Sequence, residues 1–392
     1  MSLGHVIDLG RLYGNEALKD ALSRSIAGKR TSHAYLLEGG VGAGKTTLAF
    51  LMAAAMSCEH DGTRPCMQCP SCRKLLRAQS PDLLLLGIEA LPFAEDEGIT
   101  VPNAAPLTKT RAIGVDAVRI LREDVYIRPN DLEHKFYIIG HADRMTVQAQ
   151  NALLKILEEP PEGAVFFLLC ENRAALLPTV LSRVARLNLE KFADDVLYAL
   201  LVEHDREAAA LARSDEERLR LFVRLADGAY GRAKYYVHAP KKDLKNDAAY
   251  ESHEMADALI GMLFSDVLSD DSPVLSRAAD PVRPTRTALH AFLVGRLDPK
   301  REGAETRERL RALTDALCAA LRDLAMCERG ALGQLLFFPT HTQPQILSAR
   351  CSAKTLSDTY RALITLRAEL SANPNVGMLL MTLSGILVGL RT

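Results

Sequence analysis

Residues Gly39 to Thr46 read GGVGAGKT and satisfy the spacing G-x-x-x-x-G-K-[ST] through Gly39, Gly44, Lys45 and Thr46. Glycines in such a run let successive backbone N–H groups turn inward around phosphate oxygens, and a helix that starts there adds its positive dipole end. Lys45 would reach the outer phosphates of a nucleotide, and Thr46 would offer its hydroxyl to Mg²⁺. The nucleotide-binding set expected from this loop is Gly39, Gly40, Gly42, Ala43, Gly44, Lys45, Thr46 and Thr47, and the cofactor expected is ATP with Mg²⁺. A Gly-rich turn that binds nothing is the alternative. Hydrolysis needs more than a cradle: a later strand must end in one or two carboxylates that hold the metal and polarise water. The strand run Phe136 to Ile139 ends instead in Gly140, His141, Ala142 and Asp143. Neither Gly140 nor His141 carries negative charge, and Asp143 reads first as a surface acid that caps the next helix and second as a substitute acid. The expectation is a site that binds nucleotide and hydrolyses it poorly or not at all.

A second cluster lies just beyond. Cys58, Cys66, Cys69 and Cys72 have the spacing C-x7-C-x2-C-x2-C. Four thiolates close in sequence suit tetrahedral Zn²⁺ and leave no open coordination position, so the role expected is structural. Cys170, Cys318, Cys327 and Cys351 sit on apolar segments and read as core residues.

These groups need a scaffold, and the pattern of the first half supplies one. Ala34–Glu38 (AYLLE), Lys135–Ile139 (KFYII) and Ala164–Cys170 (AVFFLLC) are short apolar runs with little alternation, as strands covered on both faces are. Thr46 to Met56 reads as a helix, and Thr146 caps another whose Ala149, Ala152, Leu153, Ile156 and Leu157 share a stripe ended by Pro160 and Pro161. Strand, helix, strand in this order predicts an α/β fold with a parallel sheet. From about residue 193 the strand signal fades. Leu310, Leu313, Leu317, Leu321 and Leu324 recur at helical spacing, as do Leu356, Tyr360, Leu363, Leu366 and Leu370. Ser265 to Thr287 and Glu89 to Lys109 are the linker or insertion candidates.

With 392 residues the chain is long enough for two or three domains at about 150 residues each. Its 48 Lys and Arg against 49 Asp and Glu exclude a protein that holds nucleic acid through an overall basic field. The first thirty residues carry Asp8, Arg11, Glu16, Lys19, Asp20 and Arg24, so no signal-peptide core is expected and a cytoplasmic location is. The apolar stretch Val376 to Leu390 is too short for a membrane span of about 20 residues and reads as a buried helix.

Taken together, His33 to Leu36 (HAYL) before the phosphate loop, the four-Cys module after its helix, Ile113 to Arg119 (IGVDAVR), Asn151 to Pro161 (NALLKILEEPP) and Leu181 to Arg183 (LSR) resemble the bacterial DNA polymerase III clamp-loader subunits of the AAA+ class. The resemblance covers residues 10 to 235; beyond 240 only Asn373-Pro374 before a Leu-rich last helix is similar. It implies an AAA+ P-loop parallel-sheet domain at 1–190 with a zinc module at 58–72, a small helical lid domain at 191–242 and a helical C-terminal collar domain at 243–392. Two branches compete. The gamma/tau motor ATPase carries Asp-Glu where this chain has Gly140 and His141. The delta-prime branch tolerates a degraded site and tends to have runs like Ala142-Asp143-Arg144-Met145 and Gly228 to Ala233 (GAYGRA), and long tau-type C-terminal domains are not expected here; delta-prime is the favoured expectation. The resemblance implies that Arg183 is a trans arginine finger for a neighbour's γ-phosphate, although the motif's Cys is Val184 here. It also implies that Arg232 is the lid sensor arginine and Asn172 the polar sensor. The partners implied are delta and gamma/tau subunits, the sliding clamp, and primer-template DNA through the assembled complex, with no membrane. The enzymatic activity implied is that of the DNA-directed DNA polymerase holoenzyme, with intrinsic ATPase weak or absent. Rival readings are an active motor rescued by Asp143, a P-loop kinase for a small metabolite, and a scaffold that binds no nucleotide.

Overall fold

The computed structural model describes residues 6–88, 112–244, 247–264, 285–297, 303–331, 335–340, 342–370 and 375–391. The insertion candidate Glu89 to Lys109, most of the linker candidate Ser265 to Thr287, and Asn373-Pro374 lie outside them. The chain forms two compact units: Met1–Leu197 with Asp227–Arg232, and Tyr198–Ala226 with Ala233–Thr392.

In the first unit the strands are β1 (Val6–Ile7), β2 (Ala34–Glu38), β3 (Thr63–Arg64), β4 (Leu83–Leu86), β5 (Lys135–Ile139), β6 (Ala164–Cys170) and β7 (Ala185–Asn188). Strands β4-β5-β6-β2-β7, in that order, make one sheet, and every pairing in it is parallel. Ala34 faces Phe166 and Glu38 faces Cys170, so β2 and β6 end level with each other at the same edge. Because side chains alternate across a strand, the sheet feeds two cores. Tyr35, Leu37, Phe136, Ile138, Phe167 and Leu169 pack on one face with the helix Lys45–Met56. Leu36, Tyr137, Ile139, Phe166 and Leu168 pack on the other with the helices Val115–Asp124 and Val147–Glu158. The helix Lys45–Met56 is buried without a break from Leu48 to Ala55, which explains why it lacks a polar stripe. Thr146 caps Val147–Glu158 by accepting from the Ala149 N–H, as the sequence suggests.

The α/β fold with a parallel sheet expected from the sequence is therefore the one observed, with three of the five sheet strands anticipated residue for residue. The other two escaped. In β4, four leucines in a row give no period; β7, Ala185–Asn188, is an edge strand with alternate residues exposed.

Every regular element among the described residues of the second unit is a helix. Leu310, Leu313, Leu317, Leu321 and Leu324 on the helix Gly303–Glu328 are buried in one core with Leu356, Leu363, Leu366 and Leu370. The last helix, Val376–Val388, adds Leu379, Leu380, Leu383 and Leu387 to that core. Among the described residues no helix is long and apolar enough to cross a membrane.

Each unit also contains a buried aspartate that grips three consecutive amides. Asp82, 1% exposed, accepts from the backbone N–H groups of Asn130, Asp131 and Leu132 at 2.8, 2.6 and 2.9 Å. Asp323, fully buried, does the same for Leu336, Phe337 and Phe338. Asp82 immediately precedes β4, so its bonds fix the segment that leads into β5. Asp82→Ala leaves three amides without acceptors and is expected to cost roughly 3 kcal/mol of stability, since each buried polar group left unsatisfied costs about 1–3 kcal/mol. A chemical-denaturation midpoint unchanged in Asp82→Ala would show that water or other acceptors replace the carboxylate.

Candidate functional site

The loop between β2 and the helix Lys45–Met56 sits at the carboxyl edge of the sheet, where ligands of open α/β sheets bind. A cavity of about 230 Å³ opens there. Gly42, Lys45 and Thr46 line it from the loop, Gly87 and Ile88 from the end of β4, Gly140, His141 and Asp143 from the end of β5, and Cys170 and Glu171 from the end of β6. Four strand ends thus converge on one space, as the parallel topology requires.

Lys45 turns back on its own loop. Its Nζ donates to the carbonyls of Gly39 and Gly40 at 2.6 and 2.8 Å. Burial pulls its pKa below the ordinary lysine range, against the opposing pull of Glu171, Cys170 and Asp143. Gly42 has φ +76°, and a Cβ there would lie 2.3 Å from the Arg232 backbone nitrogen, while the Gly231 N–H donates to the Gly42 carbonyl at 2.9 Å. The concave backbone that a phosphate needs is therefore one that only glycine can make. Ala43, Gly44 and Thr47 continue the loop into the helix, with Gly44 preceding its first residue.

The other expected residues fall in different places. Arg232 meets the loop through its backbone at Gly42 and does not line the cavity described above. Asn172 is exposed at the start of the short turn Arg173–Ala175, and its Oδ1 accepts from the Ala174 N–H at 3.0 Å. Its neighbour Glu171 is the residue that lines the cavity, an acid that the sequence reading missed because one carboxylate after a strand has no motif. Arg183 stands away from the cavity, in the turn between the helix Pro178–Leu181 and β7. Cys170 is buried as expected, but it also faces the cavity; burial, with Glu38 and Asp143 nearby, pushes its thiol up to about 12.

Asp143 is not the cap of the next helix, because Thr146 is. It lies in the short turn Ala142–Arg144, lines the cavity, and its Oδ1 is buried with no hydrogen-bond partner. At Gly140 the backbone is crowded: a Cβ would sit 2.4 Å from the Gly87 carbonyl oxygen and 2.9 Å from Ile88 Cδ1. The strand-end position where a hydrolytic site needs its acid thus has no room for any side chain.

The four cysteines of the second cluster come together with their Sγ atoms all within 4.8 Å of one another. Zinc–sulfur bonds of about 2.3 Å would draw such a group into a tetrahedron with little movement. Amide N–H groups already point at the sulfurs: Cys66 N to Cys58 Sγ at 3.4 Å, Cys69 N to Cys66 Sγ at 3.3 Å and Cys72 N to Cys69 Sγ at 3.4 Å. Although burial alone would raise the Cys66 thiol, the Cys69 and Gln68 amides and the neighbouring sulfurs bring it down to about 6, while burial holds Cys58 and Cys72 high. The donor set fits a closed metal site of the structural kind.

Comparison with known proteins agrees with the motifs. A family model described as DNA polymerase III, delta subunit matches residues 14–193. The chain is 28% identical over 269 residues to the DNA polymerase III subunit delta' of Bacillus subtilis, covering 63% of this chain and 75% of that protein. It is 32% identical over 226 residues to the tau subunit of Escherichia coli, covering 55% of this chain and 32% of that one. A solved structure, a gamma subunit-related protein of Thermotoga maritima, aligns over 96% of this chain and 99% of its own at 18% identity and a TM-score of 0.38. The chain thus spans three quarters of the delta' relative and about a third of the tau relative. The resemblance to clamp-loader subunits drawn from the motifs is borne out.

Crowding at Gly140 has a measurable consequence. Gly140→Ala is expected to destabilise the protein by about 1–3 kcal/mol, the cost of forcing extra atoms into a packed region, seen as a lowered denaturation midpoint; an unaltered midpoint would mean that the Gly87 segment yields freely.

Proposed function

We propose that this relative of the bacterial DNA polymerase III clamp-loader subunits is a delta-prime-like member of such a complex. In this reading it binds ATP, hydrolyses it poorly or not at all, and lends Arg183 to a neighbouring motor subunit. The observation that carries the reading is the pairing of a glycine-built cradle at Gly42 and Lys45 with a strand end, Gly140, that excludes a side chain. Loop amides of Gly39 to Gly44, Lys45 and Thr46 would hold ATP with Mg²⁺, whose phosphates supply the negative charge that these donors and a neighbour's arginine read. Thr47, Asn172 and Arg232 would support that site from its rim. Arg183, on a turn outside the cavity, would face phosphate bound by another subunit, where a fixed guanidinium stabilises charge that develops in transfer.

The division into 1–190, a lid at 191–242 and a collar at 243–392 belongs to the same reading. So do the partners: delta and gamma/tau subunits, the sliding clamp, and primed DNA gripped by the assembly. A near-neutral chain suits that arrangement, because DNA affinity is shared around the ring. The four cysteines would hold one structural Zn²⁺. A second reading, a gamma/tau-type motor, is favoured by Asp143, whose unpartnered carboxylate oxygen lines the cavity and offers the acid that Gly140 cannot.

Three measurements test these readings. The purified chain is expected to bind ATP, to lose that binding in Lys45→Ala, and to show almost no steady turnover; brisk turnover abolished by Lys45→Ala would establish the motor instead, and no binding at millimolar nucleotide would leave only a scaffold. Arg183→Ala should retain the chain's own ATP binding and lower the ATPase of a reconstituted ring several-fold. Elemental analysis is expected to find one zinc per chain, lost together with thermal stability in Cys66→Ser; a zinc content near zero would remove the metal assignment.

A further inference from the structure

Arg183 is held by its own subunit. Its Nη2 lies 2.7 Å from Glu158 Oε1, and its Nη1 donates to the Thr179 carbonyl at 2.9 Å and to Ser182 Oγ at 3.1 Å. Three acceptors from two segments therefore fix the guanidinium. Glu158 is the last residue of the helix Val147–Glu158, and the two features beside it keep it in place. His33 Nε2 is 3.1 Å from the carbonyl of Leu157, which ties the helix end to the residue just before β2. Pro160 and Pro161 prevent the helix from running on. The carboxylate is thus presented to Arg183 by a fixed backbone, while the pair itself stays near the surface, with side chains 34% and 47% exposed.

We propose that Glu158 is a positioning residue that parks Arg183 on its own subunit and gives it up only to a triphosphate carried by a neighbour. The proposal rests on Arg183 serving as the trans finger. Its physical basis is anion exchange: a carboxylate bears one negative charge, a terminal phosphate up to two, and the guanidinium stays compensated whichever it holds. Without nucleotide next door, Arg183 gains little by leaving Glu158, so the subunit interface tightens when the neighbouring site is filled and not before. Being half-exposed, the pair is a weak lock, as a device that must open on each cycle has to be.

The test is steady-state ATPase of the reconstituted ring containing Glu158→Gln, with Arg183→Ala and the double variant alongside. Removing the parking charge while keeping the side chain's shape should lower the KM for ATP two- to fivefold, the range set by a surface ion pair, with the change confined to KM. In the double variant the KM effect of Glu158→Gln should vanish, because there is no guanidinium left to release. A KM that Glu158→Gln leaves unchanged overturns the proposal, as does a fall in kcat, which would mean that Glu158 aims the finger rather than withholds it. Thermal melting of each purified variant separates these outcomes from misfolding: a Glu158→Gln protein that melts with the parent and leaves KM unmoved counts against parking. If Arg183→Ala itself leaves the ring's ATPase untouched, the finger assignment fails, and that result is distinct from a failure of the Glu158 contact.

Discussion

Backbone crowding at the carboxyl edge of the parallel sheet governs what the cavity can contain. Strands β4, β5 and β6 end close together there, and the chain beyond β5 passes the chain beyond β4 so tightly that position 140 admits only hydrogen as a side chain. A parallel sheet places its strand ends in register, and register leaves no slack: Leu86 is opposite Ile139, so Gly87 and Gly140 follow as neighbours. Whatever acid the cavity has must therefore arrive from further along the chain. It does so in Asp143, on the turn after β5, and in Glu171, just after β6.

The same economy of position appears away from the cavity. Asp82 and Asp323 each spend a buried carboxylate on three successive amides, a use of charge that organises backbone rather than chemistry. Asp82 ties the start of β4 to the approach to β5, the strand whose far end carries Gly140. Aromatic pairs across the sheet do the rest: Tyr137 stacks on Phe166 with ring centres 4.8 Å apart, and Tyr35 on Phe167 at 5.5 Å.

What could be read in the sequence was what repeats or clusters. Strands β2, β5 and β6 announced themselves because burial on both faces leaves them wholly apolar, and the phosphate loop and the four cysteines because their chemistry demands fixed spacing. The leucine helices were legible for the same reason. Strand β4 was not, since Leu83 to Leu86 has no period to distinguish strand from helix, nor was β7, whose Arg186 and Asn188 point outward as on an edge. Local rules favour an acid before a helix, so Asp143 reads as a cap alongside Thr146, and of the two it is Thr146 that takes the cap geometry. Glu171 and the gripping aspartates carry no local signature at all. Asp82 reaches amides 48 to 50 residues on and Asp323 amides 13 to 15 residues on, and only the folded backbone brings them together. The exclusion at Gly140 is of the same kind: the sequence shows that an acid is missing, and the structure shows why no side chain fits.

Cations around the candidate site follow a common rule. Lys45 holds the carbonyls of Gly39 and Gly40, and Arg183 holds Glu158, Thr179 and Ser182, so neither charge waits bare for a ligand. A half-buried cation without partners is costly, and satisfying it internally removes that cost while setting a threshold for any incoming anion. The two thresholds differ in kind. Lys45 has only neutral carbonyl dipoles to give up, in a cavity where Asp143 and Glu171 already supply negative charge, so a phosphate there gains an attraction but meets repulsion. To meet an incoming anion Arg183 would have to surrender a full ion pair, but one that lies near the surface, where water eases such an exchange. Filling of the chain's own cavity by an anion and any release of Arg183 would therefore be governed by separate electrostatic balances. The His33 to Leu157 contact joins the residue just before β2 to the helix end that holds Arg183, so the entry to the loop and the seat of the arginine share a short stretch of backbone.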